Sequence, residues 1–262
     1  MTPDAGSVAD AFLSVSLDYP LGAMRPGEAA IAASERRCPA EFGFGYLAAV
    51  WVVAGRGRSL ASVDPRLEES VRRALAGYTP DAWADEPAAS AVTEAAAAAV
   101  RHLYPHRESR PHRSRLLYCD RGSWQDCGLG RCEPLTDSDD PVVRALPEAG
   151  LPRGWCTFGE GTVFGVVEEG RLLATACTMP IEHMASEVGD VGAVYTVPEH
   201  RRQGLASACV SAVARAVLDS GRLPVYRVAQ SNVASQCTAR RAGFRHHADQ
   251  FVLAVSTDEG PP

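Results

Sequence analysis

Between Val194 and Ala206 the chain reads Val-Tyr-Thr-Val-Pro-Glu-His-Arg-Arg-Gln-Gly-Leu-Ala. Apolar β-formers lead up to Pro198, and an alanine-rich helical pattern begins a few residues later. The first-turn amides of such a helix have no intrahelical partner and can point at an anion. Gly204 has no side chain to hold a phosphate away, and Arg201 and Arg202 add positive charge. The chemistry that suits this stretch is the cradling of a pyrophosphate. The chain contains no Lys, so all 26 basic residues are Arg. A Lys Schiff base and a Lys-dependent phosphate loop are therefore excluded. Such a cradle must rest on backbone amides and on Arg201 and Arg202. The single Asn, Asn232, stands before a second helical stretch. Its amide both donates and accepts, and the position also suits a helix N-cap.

The elements that must position these residues are legible in the second half. Thr162 to Val167 and Leu172 to Met179 read as two strands joined by a turn at Glu169-Gly170, a hairpin. Val188 to Val197 is a third strand, ended by Pro198. Arg202 to Ser220 is expected to be a helix with Leu205, Cys209, Ala212, Val213, Ala216 and Val217 on one face, stopped by Gly221. Leu223 to Ala229 is a strand, Val233 to Ala242 a helix closed by Gly243, and Phe251 to Val255 a last strand. The tail from Thr257 is expected to be disordered.

The first half is less regular. Pro26 to Arg37 has an alanine-rich helical look, with Pro26 near the first turn. Phe44 to Val53 and Ser59 to Val63 read as strands joined by Gly55-Arg56-Gly57. Asp64-Pro65 starts a helix carrying Leu67, Val71, Ala74 and Leu75 at helical spacing. Trp83 to Leu103 is helical in its second half. Two Pro and dense charge make residues 104–115 a loop, with a short strand at Leu116 to Cys119. Residues 120–141 gather Gly, Asp and Pro and suggest a boundary, giving an N-terminal region at 1–125 and a second domain at 130–256.

Arg201-Arg202-Gln203-Gly204-Leu205-Ala206 resembles the Gln/Arg-x-x-Gly-x-Gly/Ala fingerprint of the GNAT superfamily of N-acetyltransferases. Asn232-Val233-Ala234-Ser235 followed by Gly243-Phe244 is similar to that family's Asn-x-x-Ser and Gly-Phe segment. The resemblance covers roughly residues 130 to 256. It implies an α/β fold with a mixed, mostly antiparallel sheet flanked by helices; residues 1–125 would form an additional α/β lobe. It implies acetyl-CoA as co-substrate and direct transfer of an acetyl group to an amine. The backbone of Val194, Tyr195, Thr196 and Val197 would hold the pantetheine arm between two splayed strands. The segment Arg201, Arg202, Gln203, Gly204, Leu205 and Ala206 would take the pyrophosphate. Asn232 and Ser235 would bridge the arm to the second helix. A backbone N–H near Tyr195 would stabilise the oxyanion. Asp190 is the candidate base, with Glu182, His183 and Glu187 as alternatives. The family's usual Tyr acid falls at Ala239, so Tyr226 or solvent would have to protonate the leaving thiolate. Ala239 also leaves open a catalytically idle acyl-CoA-binding module.

Composition bounds the rest. A length of 262 residues with 46% apolar and 22% charged residues suits one or two globular domains. A net charge of −6 argues against a nucleic-acid partner. The longest apolar run, Tyr46 to Ala54, is far short of the ~20 residues that cross a membrane. No secretory pattern opens the sequence, so the expected location is cytoplasmic, with the eight Cys reduced. His102, His106 and His112 precede Cys119, Cys127 and Cys132, but their spacing fits no zinc template and no metal is expected; a metal-dependent interaction protein built on this stretch is the remaining alternative. The acceptor is expected to be a small-molecule or peptide amine.

Overall fold

In a computed structural model of the protein, residues 4–37, 46–105, 107–136, 162–181 and 183–256 are described. In chain order the elements are α1 (Ala5–Leu17), β1 (Ala29–Ala33), β2 (Tyr46–Gly55), β3 (Arg58–Val63), α2 (Glu68–Leu75) and α3 (Glu86–Leu103). They continue with β4 (Ser109–Tyr118), β5 (Glu133–Pro134), β6 (Val163–Glu168), β7 (Arg171–Met179) and β8 (Val188–Thr196). The last four are α4 (Leu205–Asp219), β9 (Leu223–Ala229), α5 (Val233–Arg241) and β10 (Arg245–Ser256). The fold is mixed α/β with mostly antiparallel pairing, as the sequence suggests. Two compact units divide the chain: Met1–Phe12 with Leu116–His246, and Leu13–Arg115 with His247–Pro262. The division falls inside α1, β4 and β10, so neither unit is continuous. The tail expected to be disordered lies outside the described residues.

In the unit formed by Leu13–Arg115 and His247–Pro262, β2 pairs antiparallel with both β3 and β10, and β1 runs parallel to β3. The β2–β3 turn places Arg56 at φ 54° and Gly57 at φ 70°, the double left-handed conformation that matches strand twist in a tight hairpin. Helices α2 and α3 bury Val71, Leu75, Val92 and Val100 in one core with Val52 and Phe251 of the sheet. Asp64 begins the turn before α2. Its carboxylate accepts the Arg66 amide at 2.9 Å and the Tyr104 hydroxyl at 2.8 Å.

Two sequence expectations are corrected here. Residues 29–33, expected to be helical, form β1, each residue pairing with β3 from Ala29↔Ser59 to Ala33↔Val63. A ready strand edge outweighs the helix propensity of a few Ala. Residues 109–115, expected as loop, belong to β4. Arg113 and Arg115 sit at alternate positions and are neutralised by carboxylates: Arg113 donates to Glu86 at 2.6 Å and Arg115 to Asp249 at 3.0 Å. Alternation about Ser114 and Leu116, both buried, is the strand signal that the density of Arg obscures.

In the other unit, β5, β6, β7 and β8 are antiparallel in that order, and β9 adds parallel to β8. Glu169 at φ 51° and Gly170 at φ 71° make the expected hairpin turn between β6 and β7. Helix α4 starts at Leu205, later than expected, because residues 202–204 are used as a loop. It is buried on more than the expected face, since Ser207, Ala208, Val210, Ser211 and Ala214 are also covered. The second cover is the segment after Cys119. The Trp124 indole donates to the Ser211 carbonyl at 3.1 Å, and the Ser211 hydroxyl donates to the Gln125 carbonyl at 2.6 Å. A helix apolar or small nearly all round is the pattern of one enclosed on both sides.

Candidate functional site

The site begins where two parallel strands part. Among the described residues β8 and β9 pair only at Val188↔Leu223, Gly189↔Pro224 and Asp190↔Val225. Both strands then continue, β8 to Thr196 and β9 to Ala229, without further pairing between them. Backbone groups of β8 beyond Asp190 are thus left facing a gap on that side. On its other side β8 bulges. Thr175 of β7 opposes Tyr195, and Cys177 opposes Gly192, so Ala193 and Val194 together face the single residue Ala176. Ala193 has φ 47°, a left-handed value unusual for a residue with a side chain. Such an extra residue re-aims backbone groups away from the ladder. Met179 lies so close to Gly192 that an added Cβ would meet its Cγ at 2.7 Å.

The loop from Val197 to Gly204 then carries the chain from β8 into α4. Extended Arg201 is followed by Arg202 at φ 68°, and Gly204 has φ 82°, so left-handed residues turn the chain just before α4. The first hydrogen bond into the helix is from the Ala208 amide to the Gly204 carbonyl at 3.0 Å, so the amides of Leu205, Ala206 and Ser207 precede it. Among the described residues beyond its chain neighbours, no atom lies within 4 Å of where a Gly204 Cβ would stand. The Arg201 guanidinium donates to the Thr196 carbonyl at 3.2 Å, folding it over the end of β8. Arg202 and Gln203 are exposed. Among the described residues the Thr196 hydroxyl is buried with no hydrogen-bond partner. A pyrophosphate with a polar arm fits these features: open space at a glycine, free first-turn amides, flanking Arg and an unspent hydroxyl.

Asn232 caps α5, its side-chain oxygen accepting the Ser235 amide at 3.0 Å. The Ser235 hydroxyl lies 2.8 Å from the Tyr226 hydroxyl, so Asn232, Ser235 and Tyr226 form one connected group. Asn232→Ala is expected to cost about 1 kcal/mol of stability by loss of the cap, whereas Asn232→Ser retains it. Chemical denaturation of the two variants checks this, and equal losses would contradict it. Burial pushes the Tyr226 phenol up to about 12; the Ser235 contact opposes this and nearby Asp190 adds to it. The phenol therefore keeps its proton across the neutral range, where it can give up that proton but not act as a base. The raised value also predicts a pH effect. The folded state holds this proton more tightly than the unfolded chain, so its stabilisation is complete below about pH 10 and lost as pH rises toward 12. Over that window wild type should lose about 3 kcal/mol more than Tyr226→Phe. Parallel stability curves would exclude the effect.

Asp190 is 3% exposed, and its Oδ2 accepts two donors of Arg227, Nε at 3.0 Å and Nη2 at 2.5 Å. The pair lies just where β8 and β9 stop pairing. Of the alternative bases, His183 stacks on Phe12 with ring centroids 5.0 Å apart, and Glu187 is exposed. Glu182 lies outside the described residues. Ala239, where the resemblance would place a Tyr, is wholly buried and carries only a methyl group.

Residues 164–252 match the family model described as FR47-like protein. The match takes in β8, the loop to α4, β9 and α5, the elements just described. The matched residues make up about a third of the chain. Among solved structures, a GNAT-family protein from Novosphingobium aromaticivorans is 24% identical, over 59% of this chain and 69% of that one, with a TM-score of 0.47. A GCN5-related N-acetyltransferase from Sphaerobacter thermophilus is 16% identical, over 82% of this chain and 81% of that one, at 0.40. One from Kribbella flavida is 15% identical, over 66% and 75%, at 0.41. No curated protein matches the chain.

Three features of the site escape a sequence reading. The strand parting has no residue signature, because strands end their pairing among ordinary β-formers. The bulge residue Ala193 is not itself a glycine, and the one hint beside it, Gly192, sits within an ordinary run of β-formers. Arg131 donates to the Gln203 carbonyl at 3.3 Å and so borders the cradle from a segment far away in sequence. Among the described residues no group of three or more His, Cys, Asp and Glu is placed to hold a metal, and no helix is long and apolar enough to cross a membrane.

Proposed function

We propose that the protein is an acetyl-CoA-dependent N-acetyltransferase that passes the acetyl group directly to an amine, a small molecule or a peptide. The observation that carries this reading is the end of β8–β9 pairing at Asp190↔Val225, followed at once by the glycine-opened start of α4. Acetyl-CoA supplies an activated thioester. The chain's residues do the rest. Amides of Gln203 to Ala206, with Arg201 and Arg202, hold the pyrophosphate. The open backbone of Val194 to Val197 pairs with the arm as an added strand would. Asn232 and Ser235 bound the gap from α5. Amides freed from the ladder around Ala193 to Tyr195 face developing negative charge on the carbonyl oxygen. Asp190 accepts the amine's proton, directly or through water, and Tyr226 is the proton donor to the departing thiolate.

An acceptor panel read by release of free thiol tests the reading. Turnover with at least one amine class is expected, and Asp190→Asn should lower kcat by about 100-fold with the coenzyme affinity kept. Ala239 supports a second reading, a binding module without turnover, which lacks the family's proton donor. Tight acetyl-CoA binding with no thiol release across the panel would favour it. A cytoplasmic setting fits either reading.

A further inference from the structure

One pair of side chains has no part in that chemistry. The Cys132 and Cys209 sulfurs lie 3.9 Å apart, joined across 77 positions of sequence. Both are free thiols. They differ in access. Cys132 is half-buried and ends the short turn Leu129–Arg131 in extended backbone, whereas Cys209 is wholly buried in α4. They differ in chemistry as well. The neighbouring Cys209 thiol holds Cys132 below the usual thiol value, helped by Arg131 and opposed by burial. Cys209 is pushed well up by the same contact and by its own burial. An accessible sulfur with thiolate character beside a buried partner is the arrangement of an attacking and a resolving thiol. The other described Cys are less suited. Burial raises Cys119 to about 11 and also raises Cys127.

We propose that Cys132 and Cys209 are a redox-active pair that closes reversibly to a disulfide by exchange with a low-molecular-weight disulfide. The Cys132 thiolate attacks one sulfur of that disulfide, whose S–S bond breaks. The first small thiol leaves, taking up the proton that Cys132 lost. Cys209 then attacks the Cys132 sulfur of the mixed disulfide, gives up its proton, and expels the second small thiol, which takes that proton. Two protein thiols are oxidised and one small disulfide is reduced to two thiols. The sulfurs must close to about 2.05 Å, a shift that the turn bearing Cys132 takes up more readily than enclosed α4. The bond would tie the segment that carries Arg131 to the helix whose first turn forms the cradle.

The test uses the reduced full chain and glutathione disulfide, followed by alkylation and peptide mapping without reductant. A Cys132–Cys209 linked peptide is expected, with loss of two hydrogen atoms per chain, reversal by dithiothreitol and a thermal midpoint raised by several degrees. Cys209→Ala should stop at a glutathione adduct on Cys132. Cys132→Ser, at a half-exposed turn position, should leave Cys209 unmodified. Wild type that ends as a stable Cys132 adduct, or that leaves both sulfurs free while exposed Cys237 reacts, would overturn the proposal. None of these readouts involves acetyl-CoA.

Discussion

Gly204→Glu is expected to fold normally and to lose at least about 100-fold in affinity for acetyl-CoA. Gly204 has φ 82°, and the space in front of its Cα is empty to 4 Å. A side chain there costs only the backbone penalty of the left-handed region, about 1 kcal/mol. The added carboxylate, however, enters the volume assigned to the pyrophosphate. It can take the amides of Leu205 and Ala206 for itself, since a helix N-terminus favours any anion. It also repels the coenzyme's phosphates. Gly204→Ala separates the two effects, because it adds the strain without the charge and should keep affinity within about tenfold. Titration calorimetry on both variants, beside their thermal midpoints, is the measurement. Equal coenzyme affinity in wild type and Gly204→Glu would remove the first turn of α4 from the binding site.

The second large effect concerns stability. Gly243→Ala should cost about 3 kcal/mol, read from the denaturant midpoint. Gly243 has φ 95°, and an added Cβ would stand 2.0 Å from the Ser123 carbonyl oxygen and 2.9 Å from Trp124 Cα. Neither neighbour is a flexible side-chain end. The opposing backbone is itself held, with the Gln125 amide donating to the Ala242 carbonyl at 3.2 Å and Trp124 fixed to α4 through Ser211. Relief would have to displace the whole segment that covers α4. A loss under about 1 kcal/mol would show that this close approach does not constrain the fold.

Gly243 also shows what a sequence discloses and what it withholds. Its place after a helical pattern marks a helix end, and α5 does end there. Its deeper reason, a backbone pressed against it from residue 123, is a long-range contact that no local pattern encodes. The same division runs through the site. Gly204, the paired Arg and the amphipathic run behind them are adjacent in sequence, so the cradle is legible from local chemistry. So are the hairpin at Glu169-Gly170 and the cap at Asn232. The parting of β8 and β9, the bulge at Ala193, the approach of Arg131 and the meeting of Cys132 with Cys209 all depend on strands and segments finding one another across the chain. Composition misleads in the other unit for a related reason. An Ala run reads as helix until a β3 edge is there to accept it, and an Arg-rich stretch reads as loop until Glu86 and Asp249 neutralise it.

If the gap beside β8 and the start of α4 together hold acetyl-CoA, titration calorimetry of the wild-type chain with acetyl-CoA detects it. The prediction is one site per chain with a dissociation constant in the micromolar range. A folded protein that gives no binding signal with millimolar acetyl-CoA would contradict it.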